Sequence, residues 1–151
     1  MSQEQNLTVF VDGIANYFNS TTSSEASVGT PFLSKDVNDN ISDFTGVIGI
    51  SGNHKGSIFF SAPRRMLSHV LSSMGLISTK DDKLMDLVGE ISNTLAGNAR
   101  REFGENFNIT VPITLQGKPD GLSVSEVASI YVIPMEWEGM RANLIINIEE
   151  S

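Results

Sequence analysis

The sequence predicts an α+β domain, a largely antiparallel β-sheet covered on one face by long α-helices. Apolar residues recur at helical spacing over 7–18, 63–75 and 81–103. Runs rich in β-branched and aromatic residues fill 45–50, 57–60, 109–116, 130–137 and 141–148. The resulting order of helix, strands, helix, helix, strands is that of helices layered on an antiparallel sheet.

In chain order, residues 7–18 form an amphipathic helix with Leu7, Phe10, Val11, Ile14, Tyr17 and Phe18 on the face that packs on the sheet. The Ser/Thr-rich stretch 19–30, closed by Gly29 and Pro31, reads as a turn plus an edge strand and is too short for a domain linker. Residues 45–50 and 57–60 are two antiparallel strands, joined by the turn residues Gly52, Asn53, His54, Lys55 and Gly56. Pro63 opens a second helix with Met66, Leu67, Val70, Leu71 and Met74 inward and Gly75 as its C-cap. The third helix begins at Asp81 and Asp82, acids suited to the positive end of a helix dipole, and runs to about Phe103 before Gly104. Three strands complete the chain, with 117–125 an exposed loop and Glu138-Gly139 a tight turn.

The 151 residues, without internal repeat, read as one domain, 1–151, able to bury about 70% of its unfolded surface around a single core. The absence of cysteine excludes disulfides, thiolate catalysis and zinc-cysteine sites. The opening M-S-Q-E-Q-N lacks the basic and apolar parts of a signal peptide, and no apolar run approaches the roughly 20 residues that span a bilayer, so a cytoplasmic protein is expected. A net charge of −8 opposes both nucleic acid and anionic membranes, and neither is a predicted partner. The basic pairs Arg64-Arg65 and Arg100-Arg101 are too small for a DNA face; the first reads as a solvated pair, with contact to an acidic partner as the alternative. His54 and His69 have no second ligand at metal-binding spacing, so neither a metal site nor histidine base catalysis is expected. Gly46-x2-Gly49-x2-Gly52 lacks the lysine of a phosphate loop and leads into a strand rather than a helix.

Chemistry concentrates in Asp86 to Asn93, D-L-V-G-E-I-S-N. At about 100° per residue, Leu84, Val88, Ile91, Leu95 and Ala99 return to one line and form the buried stripe. Asp86, Glu90, Asn93, Gly97 and Arg100 recur on the opposite side, which makes Glu90 and Asn93 solvent-facing neighbours one turn apart. Asn inside a helix costs up to about 0.7 kcal/mol relative to Ala and Gly about 1, so Asn93, Gly89 and Gly97 are not what stability alone selects. With side chains missing at Gly89 and Gly97, the backbone of this face is expected to be bare, open to close approach by another macromolecule. The plain alternative is an ordinary solvated helix face carrying carboxylates and amides.

The pattern D-x3-E-x2-N, with Gly97-Asn98 after it, resembles the signature of the CheC, CheX and FliY chemotaxis phosphatases, (Asp/Ser)-x3-Glu-x2-Asn. The segment from Gly46 through Phe60 is similar to the hairpin of that family, and Val111-Pro112-Ile113 with Gly117 to the strand after its motif helix, so the likeness runs from about Thr45 to Asn147. One copy of the motif, where CheC-like proteins usually carry two, resembles CheX most; Asp12 and Asn16 on the first helix make no second match. The resemblance implies a CheC/CheX-like fold and a phosphatase acting on the aspartyl phosphate of a CheY-like receiver. Its catalytic residues would be Glu90, which pairs with a lysine of the receiver, and Asn93, which holds the attacking water. Asp86, Gly89, Gly97 and Arg100 would contact the partner. No cofactor of its own is expected; Mg²⁺ would belong to the phosphorylated receiver. CheX-like relatives dimerise by joining sheet edges, and the apolar strand 142–147 is the expected edge of a homodimer.

Two other readings stand beside this one. A non-enzymatic docking or scaffold module of the chemotaxis or flagellar-switch system would keep the helix face for binding alone. An enclosed small-ligand site beneath the helices is the third, although no convergent polar residues point to one.

Overall fold

The computed structural model describes residues 3–118 and 128–150. Among these, three α-helices lie against one eight-stranded antiparallel sheet. The chain runs through α1 (Gln3–Thr21), β1 (Ser27–Val28), β2 (Phe32–Ser34), a 3-10 turn (Asn38–Asn40), β3 (Phe44–Gly52) and β4 (His54–Ala62). It continues through α2 (Arg64–Ser73), α3 (Asp81–Phe103), β5 (Phe107–Ile109), β6 (Ile113–Gln116), β7 (Ile130–Trp137) and β8 (Met140–Glu150). The sheet order is β1-β7-β8-β4-β3-β5, with β2 also on β7 and β6 also on β3. The predicted α+β architecture is the observed one.

Strand alternation divides the core in two. On one face Phe44, Ile48, Ile58, Phe60, Ile133, Leu144 and Ile146 meet Phe10, Ile14 and Phe18 of α1, Leu67 and Val70 of α2, and Leu84, Val88, Ile91 and Leu95 of α3. On the other, Phe59, Val132 and Ile145 pack beneath Val37 and Ile41 of the segment that carries the 3-10 turn. Trp137 Nε1 donates to Thr22 Oγ1 at 3.1 Å, which ties the end of α1 to β7.

Three expectations are corrected. The strand predicted over 109–116 is two strands, because Pro112 offers no N–H and the chain bulges at Thr110, whose side-chain oxygen accepts from Gly49 N–H at 2.8 Å. The residues predicted as a hairpin turn over 52–56 do link β3 to β4, whose last pair is Ile50↔Gly56, but they are extended: β3 runs on through Gly52 to pair with β5, and β4 starts at His54 to pair with β8. The strand predicted as a dimer edge lies within β8, which is hydrogen-bonded on both sides, to β4 and to β7, and has no free edge. Most of the loop expected over 117–125 lies outside the described residues.

Candidate functional site

Small residues on the inward side of helix α3 bring it into direct contact with the strands beneath it. Gly89, Ser92, Ala96 and Ala99 recur at steps of three and four and are all buried. Ser92 Oγ donates to the Val88 carbonyl at 2.7 Å and lies over Gly46 of β3. Gly89 faces Thr114 and Pro112: a Cβ there would stand 2.9 Å from Thr114 Cγ2. The expectation that Gly89 bares the backbone for a partner is therefore corrected, since Gly89 is buried and its missing side chain makes room for β6. Gly97 agrees better with a bare backbone, because nothing lies within 4 Å of a Cβ built on it.

The first turn of α3 is held from two sides. Asp81 takes Arg64 Nη1 at 2.6 Å and Gln116 Nε2 at 3.1 Å, and Arg64 also donates to the Thr79 carbonyl at 3.2 Å. The Arg64 guanidinium stands 5.0 Å from the centre of the Phe44 ring, and its backbone N–H donates to Asp43 at 2.8 Å. The hydrogen bond from Arg64, then that from Gln116, holds the Asp81 carboxyl below its ordinary range. Of the pair expected to be solvated, Arg65 is exposed and Arg64 is this clamp.

On that fixed helix Asp86, Glu90, Asn93 and Arg100 are exposed and Gly97 half-buried, along one outward stripe. The side chains of Glu90 and Asn93 make no hydrogen bond or ion pair with the described residues, and helical spacing sets their Cβ atoms about 5–6 Å apart. Apolar surface flanks them. On one side an open groove of about 480 Å³ is lined by Leu76, Ile77, Lys80, Lys83, Asp86 and Glu90 among others, with Leu76 and Ile77 exposed. On the other, where Gly89 meets Pro112 and Thr114, the adjoining Val111 and Ile113 are exposed. Loop residues carry most of this apolar rim, which is why helical periodicity does not reveal it.

A second residue that sequence patterning does not single out for the site is Tyr17 of α1. Its hydroxyl is sealed from solvent without a hydrogen bond, Thr21 lying close enough only to favour the anion slightly. Burial pushes the phenol up to about 12, and the nearby Glu90 carboxylate adds to the rise. Asp12 and Asn16 line a separate polar cleft between α1 and α3 with Asn98 and Arg101.

Other chemistry finds little purchase. Among the described residues no three His, Asp or Glu side chains gather to hold a metal ion. His54 lies beside Phe103 and Phe107, ring centres 5.7 and 5.4 Å away, and His69 Nδ1 is 3.7 Å from Glu138. The cavity beneath the helices that His54 helps line is about 10 Å³, room for at most one water. No described helix is long and apolar enough to cross a membrane.

Against known proteins, the chain matches several solved structures over nearly its full length. A CheC-like superfamily protein from Shewanella sp. PV-4 is 26% identical, with a TM-score of 0.85 and 99% of each chain covered. The chemotaxis protein CheX from Vibrio vulnificus is 24% identical, with a TM-score of 0.84 and coverage of 96% of this chain and 99% of that one. The Borrelia burgdorferi CheX, solved in a CheX–CheY–BeF3–Mg²⁺ complex, is 20% identical with a TM-score of 0.76, covering 96% and 98%. No curated protein matches the sequence. The family model described as chemotaxis phosphatase CheX matches residues 44–136, which hold both the motif helix and the strands it rests on, and the chain therefore belongs to the CheX family of chemotaxis phosphatases.

Proposed function

We propose that this chain hydrolyses the aspartyl phosphate of a CheY-like receiver domain by inserting Glu90 and Asn93 into the receiver's phosphorylated pocket. The observation that carries the reading is the pair itself: a carboxylate and a carboxamide, one turn apart, exposed and unbonded, on a helix locked to its sheet. Membership of a phosphatase family supports it, as does the Borrelia burgdorferi CheX bound to CheY with BeF3 and Mg²⁺.

Loss of an acyl phosphate needs a water in line with the leaving carboxylate and little covalent help from the catalyst. Asn93 suits that task because its amide is neutral and offers both a donor and an acceptor, so it can hold the water without repelling phosphoryl oxygens. Glu90 is assigned to an ion pair with a lysine of the receiver, which would set the docking register. Mg²⁺, bound by the receiver's carboxylates, would offset charge on the phosphoryl group. Asp86 and Arg100, exposed on the same stripe, and Gly97 are assigned to the contact surface.

The test is a panel of receivers phosphorylated with acetyl phosphate and monitored for phosphate release. Wild type should accelerate release from at least one receiver. Asn93→Ala should lower kcat about 100-fold with little change in KM, and Glu90→Ala should mainly raise KM, by about tenfold. Binding of a receiver without faster release would identify a docking module instead, and an Asn93→Ala protein as fast as wild type would remove the water-holding role.

We also propose self-association through a free sheet edge. The outer strand β2 exposes Phe32 and Leu33, and no strand among the described residues pairs with its far side. A monomer mass at micromolar concentration would reject this.

A further inference from the structure

We infer that the groove between the end of α2 and the first half of α3 is a docking surface for the same receiver, taking an apolar side chain flanked by acidic groups that border its phosphorylated aspartate. This rests on the docking half of the proposed function, and three features carry it. The first is continuity. Asp86 and Glu90 line both the groove and the outward stripe, so a molecule close enough to present a phosphoryl group to Asn93 also covers the groove.

The second is the character of the floor and lip. Leu71, Met74 and Leu87 form the inner wall, and Leu76 and Ile77 stand at 57% and 93% exposure on the rim. The start of that rim is anchored: the Leu76 N–H donates back to the Leu71 carbonyl at 2.9 Å, closing the end of α2. A volume of about 480 Å³ accommodates a side chain or two and is too small to seat a helix along its length.

The third is charge. Lys80 and Lys83 stand at the N-terminal end of α3, where the helix dipole disfavours cations, and neither forms an ion pair among the described residues. Of the two acids between them Asp81 is taken up by Arg64, which leaves Lys80 and Lys83 as two unpaired cations along an edge they share with Asp82. A receiver pocket that binds Mg²⁺ and carries an acyl phosphate is built from carboxylates, so its border complements that edge.

The experiment compares wild type with Ile77→Ser and with Lys80→Ala/Lys83→Ala, using Lys35→Ala, an exposed lysine elsewhere, as the charge control. One readout is the KM and kcat for the phosphorylated receiver; the other is binding of that receiver loaded with beryllofluoride and Mg²⁺, by calorimetry. Each groove variant should weaken binding and raise KM about tenfold while kcat stays within about twofold, and the double lysine variant should lose most of the salt dependence of binding. Affinity unchanged in both variants, or equally weakened by Lys35→Ala, overturns the inference and leaves the proposed reaction standing. Wild type that binds without hydrolysis overturns the reaction and leaves the groove to be judged on affinity; wild type that does neither ends both.

Discussion

Gly46 of β3 lies directly under Ser92 of α3, so close that a Cβ added to Gly46 would stand 2.1 Å from Ser92 Oγ and 2.8 Å from the Val88 carbonyl. The contact falls between Glu90 and Asn93 in the motif and sets how far the helix stands off the sheet. Gly46→Ala must therefore push a whole helix turn outward, since a backbone carbonyl cannot rotate aside. Overpacking of this kind costs about 1–3 kcal/mol, readable from the midpoint of urea unfolding. Ser92→Ala in the same chain removes the nearest atom without a helix penalty and should restore part of the loss; a double variant no more stable than Gly46→Ala would place the strain elsewhere.

The buried Tyr17 hydroxyl makes the opposite prediction. A sealed donor without a partner is a standing cost, so Tyr17→Phe should stabilise the protein by about 1 kcal/mol in thermal or urea unfolding near neutral pH. The pH dependence has a definite sign. The native phenol titrates at about 12, above the ordinary value near 10, so the native state favours the neutral form. Its contribution is fully present below pH ~10 and lost as pH rises toward ~12. The advantage of Tyr17→Phe should accordingly widen across that interval; an advantage that stays constant would mean the phenol is not buried in solution.

The clamp on the start of α3 gives a test at acid pH. Asp81 is held below its ordinary range by Arg64 and Gln116, so its contribution is present above the ordinary carboxylate value and lost as pH falls through the lowered one. The melting temperature of Asp81→Ala should lie below that of wild type at neutral pH. The gap should close as pH falls below ~4 and narrow in high salt, because the pair is exposed. A gap independent of both would assign the effect to uncharged contacts of the residue-81 side chain rather than to its carboxylate.

Sequence alone discloses the elements more readily than their neighbours. The stripe of Leu84, Val88, Ile91 and Leu95 locates α3 and places Glu90 and Asn93 on its outer side, because burial of one helical face dictates the other. The side of the stripe met by β6 depends on sheet order, so Gly89 looks like surface although Thr114 and Pro112 cover it. The same gap misplaces 142–147: an apolar run suits an edge or a centre, and only pairing with both β4 and β7 makes β8 central. Tyr17 and Glu90 are 73 residues apart in sequence (90 − 17), and their proximity arises only from packing of α1 on α3. Arg64 reads as solvated because its partner Asp81 lies across the loop between α2 and α3.

Gly89 and Gly97, eight residues apart on α3, offer a contrast that separates packing from recognition. Gly89→Ala drives a methyl group against Thr114 Cγ2 at 2.9 Å, beside the Pro112 ring. The clash offsets the better helix propensity of alanine and should leave the protein less stable. Gly97→Ala meets nothing within 4 Å and should stabilise the helix by up to about 1 kcal/mol. Receiver binding separates the two further. If Gly97 is bare so that the receiver's backbone can come close, Gly97→Ala will bind beryllofluoride-loaded receiver more weakly while melting at a higher temperature than wild type. A loss of function that accompanies a gain in stability cannot come from damage to the fold. Unchanged affinity would remove Gly97 from the proposed contact surface and narrow that proposal to Asp86, Glu90, Asn93 and Arg100.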